Sequence, residues 1–360
     1  MIRALIMSGG TGGHVFPALA VALRLRERQC EVVWVGTHRG LEARVVPANG
    51  FAIEWLSVSG LRGKGLLAWL LAPWRLLLAL VQALVIVRRR KPSVVLGVGG
   101  FVTGPGGVAA WLMRRPLLIH EQNAIAGLTN RWLARLSREV LEAFPGSFPA
   151  SVRTRCIGNP VRREIAALAR PEERFAKRTG PVRVLVIGGS LGAARLNASV
   201  PGALALMPRE ARPEVWHQAG ERGIGDARAA YTHAGVEARV DAFIDDMAAA
   251  YAWADLVICR AGALTVSELA VAGLGAILVP FPAAVDDHQT HNARYLTDVG
   301  AALVIADRDL EPEHLRAELA RLCADRRTLL DMAHRARSRA MPDAAETLAH
   351  AVLTAAGGVA

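Results

Sequence analysis

One ionisable side chain, His14, stands at the edge of a glycine-rich stretch, Ser8-Gly9-Gly10-Thr11-Gly12-Gly13. An imidazole changes charge near neutrality and suits general-base work. Glycines let backbone approach a charged group, and the N-terminus of a following helix offers unpaired N–H groups and a positive dipole. The pairing points to chemistry on an anionic substrate. A tight strand-to-helix turn with a surface histidine is the plainer reading of one such loop. Two further loops of the same kind shift the balance.

The second is Gly97–Gly107, after an apolar strand at 94–96, and the third is Gly188-Gly189-Ser190-Leu191-Gly192, after VRVLVI. The third repeats the opening design half a chain later. Between them, a strand over 116–120 runs into His120-Glu121-Gln122-Asn123. Polar residues at a strand's carboxyl end are where open parallel sheets take ligands. Further on, Arg260-Ala261-Gly262 leads into the helical stretch Ala263–Ala270. Helix N–H groups and Arg260 suit a diphosphate, and Glu268 suits vicinal sugar hydroxyls. FPAAVDDHQTHN, residues 281–292, is dense in groups that hydrogen-bond to sugars.

Strands must alternate with helices to hold these loops. The pattern predicts a first strand at 4–7, a helix near Pro17–Arg28, a strand at Glu31–Gly36, and in the second half strands at 214–217, 238–243, 256–260 and 276–280. The expected fold class is α/β, with two doubly wound parallel sheets facing a cleft. The turn at Asn159-Pro160 marks the domain boundary. Domains of 1–160 and 161–341 follow, with Pro342 breaking the chain before a last helix, about 342–357, that crosses back to the first. A length of 360 residues with 52% hydrophobic and 21% charged residues supports two folded cores. The net charge of +11 calls for an anionic partner. Aromatic content of 5%, with none interleaved in basic stretches, argues against nucleic acid. Four scattered cysteines form no zinc or redox motif and fit a reducing, cytosolic setting. The first apolar run is too short for a signal peptide. An NAD site is disfavoured because Val15 replaces the third glycine of the fingerprint and Gly36-Thr37-His38-Arg39 lacks the ribose-binding acid.

From Leu66 to Val87 only Arg75 and Gln82 are clearly polar. Length alone would span a bilayer. Pro73 interrupts the run, and Arg75 costs about 2.5–3.5 kcal/mol at a span's centre. A span would also split two strands of one sheet across the membrane. The expectation is instead a helix from about Pro73 that presents one face to lipid, with Leu70, Trp74 and Leu77 aligned. Arg62 and Lys64 before it and Arg88–Lys91 after it would meet anionic headgroups.

The blocks GGTGGHVFPALA (9–20), RGKG (62–65), HEQNAIAGLTNR (120–131), GNPVR (158–162), GGSLGA (188–193), FIDDMAAAYAWADLVICR (243–260), GALTVSELA (262–270) and HQTHNA (288–293) resemble, in order, the MurG family of N-acetylglucosaminyltransferases. The resemblance implies a GT-B fold and an inverting transfer, without cofactor, from UDP-GlcNAc to lipid I, undecaprenyl-diphospho-muramoyl pentapeptide. The product would be lipid II, made at the cytoplasmic face of the bacterial inner membrane. The first domain would take the acceptor and the membrane, the second the donor. The donor-contacting positions would be Thr11, Gly12, Gly13, Asn123, Arg162, Ser190, Ile244, Ala263, Leu264, Thr265, Val266, Ser267, Glu268 and Gln289. His14 would be the general base. Leu70, Trp74, Leu77, Leu80 and Trp111 would face an anionic membrane, with cell-wall and division machinery as further partners. Two positions depart from the family: Phe101 stands where relatives often have Tyr, and Ala261 replaces a common Ser.

A transfer from a nucleotide sugar needs a base, dipoles for the departing diphosphate and hydrogen bonds to the sugar. His14, the helix N-termini with Arg260, and Glu268, Gln289 and Asn292 answer these needs. No D-x-D motif is suitably placed, so no metal is expected. The rivals are a UDP-GlcNAc 2-epimerase of the same fold, which needs no apolar patch, and a nucleotide-binding membrane scaffold, which needs no His14.

Overall fold

The computed structural model describes residues 2–58, 71–189, 193–282 and 287–357. The chain forms two units, Met1–Arg162 with Pro342–Ala360, and Arg163–Met341.

In the first unit the strands are β1 Arg3–Ser8, β2 Glu31–Gly36, β3 Ala52–Trp55, β4 Val94–Gly99, β5 Leu117–Glu121, β6 Glu139–Glu142 and β7 Arg155–Cys156. Among the described residues they form one sheet in the order β3-β2-β1-β4-β5-β6-β7, with every pairing parallel. The helices are α1 Gly12–Glu27, α2 Glu42–Ala48, α3 Ala72–Arg90, α4 Thr103–Leu112 and α5 Leu128–Leu133. Alternation along β1 separates two cores. Ala4 and Ile6 pack with α1 residues such as Val15 and Leu25, whereas Leu5 and Met7 pack with Ala83, Val87 and Ala109 of α3 and α4. Covering both faces of the sheet explains why β1 and β4 read as unbroken apolar runs.

The second unit repeats the plan with β8 Arg183–Ile187, β9 Glu214–Gln218, β10 Arg239–Asp241, β11 Leu256–Cys259, β12 Gly275–Leu278 and β13 Ala302–Val304, ordered β10-β9-β8-β11-β12-β13 and all parallel. Its helices include α6 Ala194–Ala205, α7 Ile224–Ala234, α8 Met247–Trp253, α9 Ala263–Ala272, α10 His288–Thr297, α11 Pro312–Cys323 and α12 Arg326–Arg337. A last helix, α13 Ala344–Ala355, packs Leu348 and Val352 into the first unit's core beside α1.

One expectation about a helix needs correction. The helix α1 begins at Gly12, not Pro17, and Pro17 lies buried inside it. Proline forfeits one N–H bond there, to Gly13, but its ring packs in the core, and packing outweighs the local signal. The last five residues of the polar stretch 281–292 form the first turns of α10.

In both sheets the strand order reverses once, between β1 and β4 and between β8 and β11. The carboxyl ends at such a reversal open a crevice in which doubly wound sheets hold ligands. The loops singled out by their glycines are those that leave β1, β4, β8 and β11.

Candidate active site

At the first reversal, Thr11 takes the N-cap position of α1 with extended backbone (φ −97°, ψ 164°), and its carbonyl accepts from the N–H groups of His14 and Val15. The first turn of the helix itself carries no acidic residue. The preceding loop is fixed by a residue the sequence reading missed. Glu42, fully buried, accepts from Gly10 N–H at 2.9 Å through one oxygen and from Thr37 N–H and Oγ1 at 2.9 and 2.8 Å through the other. Its only local signal was one Glu at a helix start.

From the other side the loop leaving β4 presses close. Gly100 (φ +85°) leaves no room for a side chain, since a Cβ there would lie 2.3 Å from the Gly9 carbonyl oxygen. A Cβ on Gly99 (φ +121°) would lie 2.7 Å from His14 Nδ1. Glycine is required at both because the backbone conformation is left-handed and the approach is close. Half-buried His14 is thus pressed against β4, and its Nδ1 is 2.8 Å from Gln122 Oε1.

The stretch His120–Asn123 was expected to contact ligand as a group. The structure buries His120, Glu121 and Gln122. Glu121 accepts from Asn123 N–H at 3.0 Å and Asn123 Nδ2 at 3.2 Å through Oε1, and from Gly127 N–H at 3.1 Å and Asn130 Nδ2 at 2.8 Å through Oε2. It organises the loop, and Asn123 is the half-buried member. Burial drives His120 down to about 4, against the opposing pull of the Gly158 carbonyl, with His14 adding to the depression. His120 is therefore neutral at pH 7. Arg162 lies in the same unit, its guanidinium carbon 5.8 Å from the centre of the Phe16 ring of α1. The first unit thus brings Thr11, Gly12, Gly13, His14, Asn123 and Arg162 to the end of its sheet at which β1 and β5 leave it.

At the second reversal the turn Arg260–Gly262 starts α9, whose N-cap Gly262 is extended and whose first turn is likewise free of acids. Buried Asn292 donates to the Ala261 carbonyl at 3.2 Å, so it braces this turn where the sequence suggested a sugar contact. Arg260, expected to face a diphosphate, places Nη1 2.5 Å from Asp307 Oδ1 and donates to the carbonyls of Val279 and Pro280. Its partner lies 47 residues away, beyond any local pattern. Glu268 is buried and accepts from Tyr251 Oη at 3.0 Å, which fixes its carboxylate from within. Ser267 donates to the Ala263 carbonyl at 3.0 Å. Gln289 Oε1 accepts from Phe281 N–H at 2.9 Å, which orients the amide of this half-buried side chain. Ile244, Ala263 and Val266 are buried, Leu264 and Thr265 half-buried. Ser190 lies outside the described residues.

On α3, Trp74 and Leu77 are 61% and 49% exposed, and Trp111 at the end of α4 is 50% exposed. Leu78, Val81 and Val85 extend the α3 stripe. Leu80, also expected on this face, is half-buried and packs in part against the core under the sheet. Exposed Leu128 and Trp132 of α5 add an apolar pair four residues apart that the sequence reading passed over. Leu70, Arg62 and Lys64 lie outside the described residues. Among the described residues no helix is long and apolar enough to cross a membrane.

Two all-parallel, doubly wound units, each with uncapped helix N-termini at its strand reversal, are the layout of the GT-B architecture. Residues 4–142 match the glycosyltransferase family 28 N-terminal domain and residues 183–348 its C-terminal domain. A protein of Nitrosococcus oceani named UDP-N-acetylglucosamine–N-acetylmuramyl-(pentapeptide) pyrophosphoryl-undecaprenol N-acetylglucosamine transferase is 59% identical over 357 residues, 99% of each chain. One of the same name from Marinobacter nauticus is 58% identical over 99% of this chain and 98% of its own. The crystal structure of Acinetobacter baumannii MurG is similar with a TM-score of 0.85 and 40% identity, over 98% of this chain and all of that one. A UDP-GlcNAc 2-epimerase from Neisseria meningitidis shares the fold at a TM-score of 0.67 but only 11% identity, over 98% of this chain and all of that one. The chain belongs to the MurG family of N-acetylglucosaminyltransferases.

Proposed function

We propose that this protein transfers GlcNAc from UDP-GlcNAc to the 4-hydroxyl of the muramoyl sugar of lipid I, with inversion, giving lipid II for peptidoglycan synthesis. The observation that carries the reading is near-full-length identity of 58–59% to transferases named for that donor and acceptor. His14 at the N-terminal reversal supports it with a base, held at the edge of an anion-favouring helix terminus. In this mechanism His14 takes the proton of the acceptor hydroxyl as its oxygen attacks the anomeric carbon, and UDP leaves. The N-terminus of α9 stabilises charge growing on the diphosphate. Glu268 accepts from the ribose hydroxyls. Thr11, Gly12, Gly13, Asn123 and Arg162 of the first unit and Ser190, Ile244, Ala263 to Ser267 and Gln289 of the second complete the donor contacts.

The first unit is the acceptor and membrane domain in this reading, the second the UDP-GlcNAc domain. Trp74, Leu77 and Trp111 enter the lipid interface and place the enzyme, peripherally, on the cytoplasmic face of the inner membrane. That location puts it beside the cell-wall and division machinery. Incubation with radiolabelled UDP-GlcNAc and a lipid I analogue should give labelled disaccharide lipid and free UDP in equal amounts. With the nucleotide sugar alone, conversion to UDP-ManNAc would overturn the reading in favour of the epimerase.

A further inference from the structure

A line of hydrogen bonds runs inward from His14 and ends on a backbone carbonyl. Its members are His14 Nδ1 to Gln122 Oε1 at 2.8 Å, Gln122 Nε2 to His120 Nδ1 at 3.0 Å, and His120 Nε2 to the Gly158 oxygen at 2.9 Å. We propose that this line sets the tautomer of His14, keeping its proton on Nδ1 and leaving Nε2 as the acceptor, so that His120 and Gln122 are positioning residues of the transferase. The proposal rests on His14 being the base.

The inner end decides the direction. A carbonyl oxygen can only accept, so His120 Nε2 carries the proton. His120 has no solvent exposure, and burial keeps its ring neutral, so its Nδ1 is a lone pair. That lone pair needs a donor, and Gln122 Nε2 supplies it. The same amide nitrogen also donates to the His120 carbonyl at 3.0 Å. Both of its protons are therefore used against two acceptors. Rotating the amide by half a turn would set Oε1 against that lone pair and that carbonyl, two repulsive contacts in a buried place. The amide thus has one orientation, with its oxygen toward His14. An oxygen there can only accept, so His14 Nδ1 must donate, and a neutral imidazole then has its lone pair on Nε2.

Two further contacts hold the geometry. Gly99 lets the His14 ring lie against β4, and Asn159 Nδ2 donates to the Gln122 carbonyl at 3.1 Å, fixing the backbone from which the amide projects. A free neutral imidazole favours the proton on Nε2, the wrong nitrogen for a base that acts through Nε2. The line opposes that preference. When Nε2 takes the acceptor's proton, the Nδ1–H bond to Gln122 becomes charge-assisted and strengthens without any group moving. That is the differential stabilisation a base needs in the transition state.

The test is histidine-selective 15N labelling of the full chain, with His14 assigned by its loss in His14→Gln. The parent should show a pyrrole-type Nδ1 and a pyridine-type Nε2 for neutral His14. Gln122→Met keeps length and volume but can neither accept nor donate. It should move the His14 signals toward the Nε2–H form and lower kcat by on the order of tenfold or more, with the KM for UDP-GlcNAc nearly unchanged. His120→Phe should act in the same direction, and if it fails to fold, Gln122→Met alone decides. An Nε2–H tautomer in the parent, or unchanged His14 signals in Gln122→Met, overturns the proposal. If the signals read as expected but His14→Gln keeps parental kcat, the tautomer assignment stands and the base reading falls, and with it the catalytic role of His120 and Gln122.

Discussion

Each unit buries one histidine among fixed partners, and the two differ in where the chain of bonds leads. In the second unit His217 on β9 bonds to Asn197 Oδ1 at 3.1 Å and to Tyr231 Oη at 2.9 Å, and Asn197 Nδ2 donates to the Ala219 carbonyl at 3.1 Å. Every member is buried, and nothing in the line reaches the surface. In the first unit the equivalent line also starts from a carbonyl but passes through Gln122 to half-buried His14. The same physical device, a buried neutral ring with an assigned tautomer, ties elements together in one unit and delivers an orientation to a candidate base in the other. A buried histidine by itself therefore says little about function. The exposure of the group at the end of its hydrogen bonds says more.

The largest expected effect separates the two lines directly. His14→Gln should lower kcat by about 10²–10⁴-fold, the range typical of a lost general base, while leaving thermal stability close to that of the parent. His217→Gln should do the reverse, lowering stability through its unsatisfied neighbours Tyr231 and Asn197 with little change in kcat. Steady-state kinetics and thermal melts on both variants check this. Activity loss in His217→Gln without destabilisation would erase the distinction.

Acid should act on both lines together. Burial holds His120 and His217 at about 4, well below the ordinary value near 6.5. The unfolded chain then binds more protons than the folded one between those values. The stabilisation is fully present above about 6.5 and is lost as pH falls toward 4. By that linkage each ring accounts for about 3 kcal/mol across the window. Urea titrations between pH 7 and 4 should show a steep fall in stability, and His217→Gln should flatten part of it. A slope that the variant leaves untouched would place the acid sensitivity elsewhere.

How much of this was legible beforehand depended on whether the cause was local. The strand–glycine–helix units were readable because β1, β4, β8 and β11 are apolar runs ending in glycines, and parallel strands covered on both faces must be apolar throughout. The short strands β3 and β6 escaped, since AIEW and EVLE carry acids in the strand, and Glu54 and Glu142 are buried through partners elsewhere in the chain. His14 and Glu268 could be singled out as candidates from their place beside glycine turns, whereas Thr11 entered only through the family resemblance. The service of Glu42 to Gly10, of Asp307 to Arg260 and of Asn292 to Ala261 rests on pairings 31 to 47 residues apart. No spacing rule reveals those, so Arg260 and Asn292 were read as ligand contacts when their visible partners are protein.

Glu268 tests the second unit's side of the proposal at a smaller scale. Losing a charged acceptor costs about 2 kcal/mol, which corresponds to roughly a 30-fold higher KM for UDP-GlcNAc in Glu268→Ala, with the acceptor KM little changed. Because Tyr251 Oη holds the carboxylate from within, Tyr251→Phe should raise the donor KM in the same direction and by less. Donor KM values equal to the parent in Glu268→Ala would remove the ribose contact.

The smallest effect concerns α3, where an outward and an inward residue lie six positions apart. Trp74 is 61% exposed, so it contributes little to the core, whereas Leu80 packs against it. If the outward stripe meets lipid, Trp74→Ser removes apolar surface from the membrane contact and not from the fold. Partial burial of one such side chain is worth about 1–2 kcal/mol, so binding to anionic vesicles should weaken about tenfold at an unchanged melting temperature. Leu80→Ser should lower the melting temperature and leave vesicle affinity per folded molecule nearly as it was. Salt sharpens the contrast further. Of the basic cluster closing α3, Arg89 and Arg90 pair with Glu54, so Arg88 and Lys91 would carry most of an attraction screened within a Debye length, about 8 Å at physiological ionic strength, and the parent should lose affinity as salt rises. Trp74→Ser should lose it in the same proportion, because the substitution leaves those charges in place. Destabilisation by Trp74→Ser with unchanged vesicle binding would return the whole stripe to the core and take the membrane face with it.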